Sequence, residues 1–309
     1  MVNMPAHAAI VIPCFNAEIW IEKAVRSALE QSFSETTLIV VDDGSTDGSV
    51  ERIQNFAGHV ILETGPHCGA CHARNRGLEL ATGQGASHVL FLDADDYLEG
   101  DLLAGAMQVA ERHDADMVLS NMHIEYADGS RDIRHAYKGH VLPEQFFAGW
   151  MDGDFINPSG ILWRTDFISR IGGWDESLAR AQDFDITMRA MFQAPVIYKN
   201  ETGAAIHTRV NANSITTDQS YKALASRFAA VASLLDRAKG TPFAKFTPQL
   251  CREIYHISRA AFRAGYTDLG RMGLRRIHAE GYHEHPGTWG HALAARILGL
   301  EMKTRLWRR

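Results

Sequence analysis

Long apolar runs are missing from this sequence. None of its segments approaches the ~18 consecutive apolar side chains that a membrane-spanning helix needs, so no helical span is expected. The first residues lack the basic cluster, apolar stretch and small-residue cleavage site of a secretory leader. Cysteine is scarce as well. Cys14, Cys68, Cys71 and Cys251 are too few and too scattered for a disulfide framework, which makes a reducing cytoplasm the expected compartment. There is no basic excess either: 31 Lys and Arg stand against 37 Asp and Glu, which argues against a nucleic-acid partner. No internal repeat or low-complexity tract appears. What remains is ordinary globular material, 46% hydrophobic in 309 residues, enough for one large domain with an appendage.

The first 125 residues alternate between two periodicities. Ala9-Ile10-Val11-Ile12 is a short apolar run closed by Pro13, and Ile21, Ala24, Val25, Ala28 and Leu29 then recur at helical spacing. Leu38-Ile39-Val40-Val41 is a second apolar run, followed by a polar helix and by Val60-Ile61-Leu62. A helix is predicted over Ala70 to Ala81, capped at Gly83, before Val89-Leu90-Phe91-Leu92. This rhythm predicts an α/β fold with a mostly parallel, doubly wound sheet. Polar clusters fall where the strands end: Cys14-Phe15-Asn16, Asp42-Asp43-Gly44-Ser45 and Asp93-Ala94-Asp95-Asp96. Ligands of such sheets bind beyond the carboxyl ends of strands, so one site on one edge is expected. Residues from 126 to about 217 are less regular, and from about 218 the pattern is helical. Tyr221, Leu224, Phe228, Val231 and Leu235 share one face there, as do Leu250, Ile254, Ile257 and Ala261.

Asp93-Ala94-Asp95 at a strand end can turn two carboxylates onto one hard cation, Mg2+ or Mn2+, which keeps positions open for substrate phosphates. The bland reading is a solvated acidic turn, and Asp43-Gly44-Ser45-Thr46 can equally be a turn with a helix cap. Asp114-Ala115-Asp116 repeats the acidic pattern but precedes a strand, which suits a structural role.

Taken in order, these motifs resemble family 2 glycosyltransferases. Val11-Ile12-Pro13-Cys14-Phe15-Asn16-Ala17-Glu18, Val40-Val41-Asp42-Asp43-Gly44-Ser45-Thr46-Asp47, Ala73-Arg74-Asn75-Arg76-Gly77 and Phe91-Leu92-Asp93-Ala94-Asp95-Asp96 follow the family's spacing. Gly172-Gly173-Trp174-Asp175-Glu176 and Gln182-Asp183-Phe184-Asp185 are similar to its later block, so that the resemblance covers about residues 7 to 217. It implies a GT-A type αβα sandwich over 1–217, with a nucleotide half to about 125 and an acceptor half after it, plus a helical region over 218–309. It implies transfer of a sugar from a nucleotide-diphosphate donor, usually a UDP-sugar, to a hydroxyl acceptor in polysaccharide or glycolipid assembly. Donor-binding residues would be Pro13, Phe15, Asn16, Glu18, Asp43, Arg74, Asp93 and Asp95. The metal would be held by Asp95 and Asp93, and Asp183 would be the general base of an inverting displacement. Asp175 and Asp185 are weaker candidates for that base, and a helix cap is the competing role for Asp183.

The chain departs from the family at two places. Gln182 stands where a glutamate is common, and Asn211 stands where a histidine is expected; His207 is either the substitute metal ligand or an ordinary surface histidine. Cys68-Gly69-Ala70-Cys71-His72 matches a haem-attachment pattern, but no export signal accompanies it, and no second Cys/His pair suggests zinc. The last residues pair Leu293, Ile297 and Leu300 with Arg296, Lys303, Arg305, Trp307, Arg308 and Arg309, a basic amphipathic end. It suits peripheral contact with the inner face of the membrane, or packing on its own domain, while the carboxy-terminal helices offer a homodimer surface. Two rival functions stay open: a non-catalytic nucleotide- or glycan-binding module, and a sugar-nucleotide nucleotidyltransferase. The latter expects a glycine-rich basic loop that Pro13-Cys14-Phe15-Asn16 is not. A phosphatase fits poorly because Tyr97 follows the aspartates.

Overall fold

The computed structural model describes residues 6–134, 137–209, 218–287 and 289–306. Asn211, Trp307, Arg308 and Arg309 lie outside them, as do the side chains of Ile297 and Arg305. The chain forms two compact units, Met1–Glu176 with Gln193–Ala212, and Ser177–Phe192 with Asn213–Arg309.

The first unit opens as β1 (Ala8–Cys14), α1 (Ile21–Leu29), β2 (Thr36–Asp42), α2 (Ser49–Gln54), β3 (Ile61–Thr64), α3 (Ala70–Gly83) and β4 (His88–Phe91). These strands are parallel in the order β3-β2-β1-β4. Next come β5 (Tyr97–Glu99), α4 (Leu102–His113), β6 (Met117–Tyr126), β7 (Arg131–Arg134), β8 (His140–Val141), α5 (Pro143–Met151), β9 (Ile161–Arg164) and α6 (Thr165–Arg170). After α7 (Gln182–Met191), β10 (Ile197–Arg209) returns to the sheet and lies parallel to β6, with β9 antiparallel between β4 and β6.

The apolar runs become the middle of this sheet because helices cover both of its faces. Ile10, Ile12, Leu38 and Val40 pack in one buried cluster with Ile21, Ala24 and Val25 of α1 and with Leu103, Ala106 and Met107 of α4. On the opposite face α3 crosses β1, and a side chain at Gly77 would collide with Val11, so that close approach needs glycine. Leu29, assigned to the apolar face of α1, is 38% exposed at its end. Gly83 does not cap α3: the helix runs through it, and Gly85 takes the left-handed turn at φ 78°.

The carboxyl edge opens for a reason visible in the register. Val11 pairs with Phe91 and accepts a bond from the Leu92 N–H at 2.9 Å, the last link between β1 and β4. Pro13, on the same side of β1, lies beyond that link, where its missing N–H costs no ladder bond. β1 and β4 are also where the strand order reverses, the crevice in which open sheets bind ligands.

The second unit holds α7, α8 (Tyr221–Ala238), α9 (Thr247–Ala264), α10 (Thr267–Ala279), α11 (Trp289–Leu298) and α12 (Leu300–Leu306). Leu250, Ile254, Ile257 and Ala261 are all buried, as their spacing predicts, whereas Tyr221 is half-exposed. The basic end is not one helix: it breaks at Gly299 (φ 76°), and Lys303 is buried, not solvated. Among the described residues no helix is long and apolar enough to cross a membrane.

Candidate active site

The acidic and aromatic residues expected at the strand ends of the first unit do gather along one edge. Beyond β1, Asn16 takes a left-handed conformation (φ 48°), which asparagine tolerates, and its Oδ1 accepts from the Thr46 N–H at 2.8 Å. Its own N–H donates to Ser45 Oγ at 2.9 Å. Glu18 reaches the start of α2, accepting from the Gly48 N–H at 3.2 Å with Arg52 at 3.6 Å. Asp42 folds the following turn, accepting from the N–H groups of Gly44 and Ser45. The segment after Asp43 is therefore a turn, and α2 begins only after Gly48, its first N–H groups taken by Glu18 and Asp47 and not by Ser45 or Thr46.

Asp43 is buried, and both its oxygens are used. The N–H groups of Cys68 and Gly69 donate to it at 2.7 and 2.8 Å, and His67 Nδ1 lies at 3.0 Å. It thereby ties the loop before α3 to the end of β2. Oδ2 faces both Gly69 and His67, whereas Oδ1, with one donor, keeps a second lone pair for a ligand. His67 stacks on Phe15 with ring centroids 4.0 Å apart, so an exposed aromatic shelf stands beside this carboxylate. No sequence pattern singles out His67; only its place before Cys68-Gly69 hints at it. Cys68 is exposed and Cys71 buried, and no disulfide joins them.

Arg74 projects from α3 and is almost wholly buried. Its Nη2 donates to Asp93 at 2.6 Å, and its guanidinium lies over the Trp174 ring at 4.5 Å. Trp174 is placed by Asn75, whose amide brackets it: Oδ1 accepts from the Trp174 N–H at 2.8 Å and Nδ2 donates to its carbonyl at 2.9 Å. Nδ2 also donates to Glu176 at 2.8 Å. Gly173 makes this loop work, for it stands at φ 60° and a Cβ there would lie 2.7 Å from Asn75 Oδ1. The Arg74-Asn75 pair thus splits its work: one side chain faces the site and the other clamps the loop beneath it.

At the end of β4 the carboxylates have different fates. Asp96 is fully buried and accepts from Ser159 Oγ (2.7 Å), Asn157 Nδ2 (2.8 Å) and the Thr208 N–H (3.2 Å), with His207 Nδ1 at 3.0 Å. Asp93 and Asp95 stay partly exposed. Burial, then the charges of Asp96 and Asp93, push the Asp95 carboxyl up to about 7, with His207 opposing them. Burial pulls His207 down, but the hydrogen bond that it donates to Asp96 and the negative charge of all three aspartates outweigh it, leaving the imidazole above its ordinary range. Asp96 stands in the acidic cluster at the strand end, but its anchoring role and its partners Asn157 and Ser159, more than sixty residues away, leave no local spacing to read.

These groups suit a divalent cation in their chemistry. Asp95 and Asp93 crowd each other, and the contact of Asp96 with His207 Nδ1 leaves the Nε2 lone pair as the one that could ligate. A carboxylate behind a histidine is the usual support of a metal-binding imidazole. Among the described residues no three such side chains close around an ion by themselves.

Asp183 belongs to the second unit, in the first turn of α7. It does not cap that helix: the N-cap is Ala181, with no side-chain cap bond. Asp185 is bound to Arg189 at 2.7 Å and buried, which removes it as a base. Asp114 and Asp116 both pair with Arg164, a structural role, as their position before β6 suggests.

Comparison with known proteins adds an independent line. Residues 9–165, just over half the chain, match the family model "Glycosyl transferase family 2". The amylovoran biosynthesis glycosyltransferase AmsB of Erwinia amylovora is 31% identical over 198 residues, 59% of this chain and 63% of its own. The chain spans less than two thirds of the length of the curated relatives it matches. Among solved structures, Staphylococcus aureus TarS 1-349 in complex with UDP-GlcNAc aligns with a TM-score of 0.66 at 18% identity, covering 92% of this chain and 95% of that one. The Pyrobaculum calidifontis mannosyltransferase PcManGT, in complex with GDP-Man and Mn2+, aligns at 0.55 and 17%, covering 99% and 84%. At such identities the likeness is one of fold, the GT-A αβα sandwich with added carboxy-terminal helices.

Proposed function

The chain belongs to glycosyltransferase family 2, and from that premise we propose that it transfers a sugar from a UDP-sugar to a hydroxyl acceptor with inversion at the anomeric carbon. The observation that carries the reading is the convergence, on the β1/β4 edge, of the Phe15 shelf beside Asp43, the Arg74–Asp93 pair, and Asp95 beside the Asp96–His207 pair. UDP-GlcNAc in the TarS complex supports a uridine donor. The Mn2+ of PcManGT supports metal dependence.

Each residue's part follows from its surroundings. The base lies on Phe15 and meets Asp43, while Pro13, Asn16 and Glu18 shape the loop under it. Arg74, pre-oriented by Asp93 and Trp174, faces the diphosphate without having to be ordered on binding. Asp95, Asp93 and His207 Nε2 would hold the cation. When bound, it supplies Lewis-acid stabilisation of the charge gathering on the leaving diphosphate. Asp183 takes the proton of the attacking hydroxyl, since an unassisted hydroxyl is a poor nucleophile. One displacement with one base inverts the configuration. We take residues 1–217 as the catalytic domain, working on the cytoplasmic side in the assembly of a polysaccharide or glycolipid, as the name of AmsB supports.

The test is release of UDP from a panel of UDP-sugars by the full chain, with and without manganese, and the anomeric configuration of any product. Release that needs manganese, with an inverted product, is expected. Release from no uridine donor, with GDP- or dTDP-sugars active instead, would overturn the uridine assignment.

A further inference from the structure

The second unit carries a concavity that the transfer chemistry does not use. Its volume is about 490 Å3, and Gln219, His256, Arg259, Ala260, Arg263 and Ala264 line it. Five of these six come from α9, where residues 256, 259/260 and 263/264 fall one helical turn apart and so share a face. Arg252 extends the same stripe by one more turn. Ala260 and Ala264 leave the floor low, and the two arginines form its wall.

The charge here is unbalanced. Among the described residues, neither Arg259 nor Arg263 makes an ion pair or a hydrogen bond with any other. The neighbouring acids are engaged elsewhere, Glu253 with Arg227 and Glu301 with Arg271. Buried Lys303 feels both arginines: burial first, then their charge, lower its pKa. Burial lowers His256, and Arg259, Arg227 and Arg252 lower it further against the opposing charge of Glu253. Two arginines at i and i+4 repel each other, and a helix keeps such a pair at a cost unless an anion relieves it.

We propose that this concavity is a phosphate-binding site for a soluble phosphate ester, with the Arg259 and Arg263 guanidinium groups donating to the phosphate oxygens. Guanidinium forks match phosphate geometry. The volume falls within the about 300–1,000 Å3 of small-molecule sites and suits a phosphorylated sugar or polyol. A membrane headgroup would want an apolar wedge beside the basic stripe. The apolar face of α9 (Leu250, Ile254, Ile257 and Ala261) is instead buried within the unit.

Calorimetric titration of the full chain with inorganic phosphate, glycerol 3-phosphate and glycerol, in EDTA and low salt, tests this directly. Phosphate and glycerol phosphate should bind and glycerol should not. Arg259→Gln with Arg263→Gln should weaken binding at least about tenfold without lowering the melting temperature. Ala264→Glu, which sets a carboxylate on the exposed floor, should abolish it, and serves if the double variant folds poorly. No phosphate binding by the wild type, or binding unchanged in folded variants, would overturn the proposal. So would binding seen only on anionic phosphatidylglycerol vesicles, which would make the stripe a membrane contact.

Discussion

Asp96 and His207 meet at 3.0 Å, a carboxylate with no exposed surface against an imidazole that keeps some. The bond joins the residue before β5 to β10, and with Nδ1 on Asp96 the other ring nitrogen, Nε2, is left for a ligand. Asp96→Asn keeps the shape and removes the charge. Its amide would also oppose the donors Ser159 and Asn157. We expect Mn2+ binding in the presence of UDP to weaken about 10- to 100-fold, as such supporting partners do elsewhere, readable from the free-Mn2+ electron paramagnetic resonance signal. Unchanged affinity would remove His207 from the metal site.

Arg74 is held by a carboxylate on one side and an indole on the other. Arg74→Lys keeps the charge but loses the planar fork, so UDP binding should fall about tenfold or more while the fold survives. Arg74→Ala leaves Asp93 without its partner and should also cost about 1.5–3 kcal/mol of stability, measured by urea unfolding.

Asn75→Ala tests the clamp. Three hydrogen bonds to Trp174 and Glu176 disappear, though the residue itself would touch no donor. Trp174 should become mobile, visible as a shift in indole fluorescence, and UDP affinity should drop through Arg74. A variant that binds UDP as the wild type does would show Trp174 to be irrelevant to Arg74.

His88 gives the pH dependence. It is buried on β4, and burial, then the charge of Arg164, lower its pKa to about 4. The unfolded chain protonates this histidine near 6.5, the folded chain only near 4. The unfolded state therefore binds more protons in between, and the contribution of His88 falls as pH drops through that window, by at most about 3 kcal/mol. Asp95, raised to about 7, works in the opposite sense, so the reading is the difference between two proteins: from pH 7 to 4 the urea midpoint of the wild type should fall relative to that of His88→Gln.

The legibility of the sequence followed its periodicity. Strands buried on both faces leave short apolar runs, and each run ended in the polar cluster that the sheet edge presents, so β1, β2, β4 and the residues Phe15, Asp43, Asp93 and Asp95 could be read directly. Helix ends were harder: Gly83 looked like a cap, yet the left-handed turn fell to Gly85, because α3 continues as long as Ala81 packs on the sheet. Asp96 and Asn157 met across 61 residues, and no local spacing encodes such a partnership. His67 was hidden for a similar reason: its position comes from Asp43 holding Cys68 and Gly69. The alternating rhythm also stops where β9 inserts antiparallel between β4 and β6, which is why residues after 125 read as irregular.

In the proposed transfer, Asp95 makes donor binding depend on a divalent cation. The direct measurement is calorimetric titration of UDP and UDP-sugars into the full chain, with and without manganese, on the wild type and on Asp95→Ala. We predict binding that strengthens with manganese in the wild type and loses that gain in Asp95→Ala. Manganese-dependent binding that is the same in both proteins would remove Asp95 from the metal site, and no uridine nucleotide binding under either condition would rule out a UDP-sugar donor.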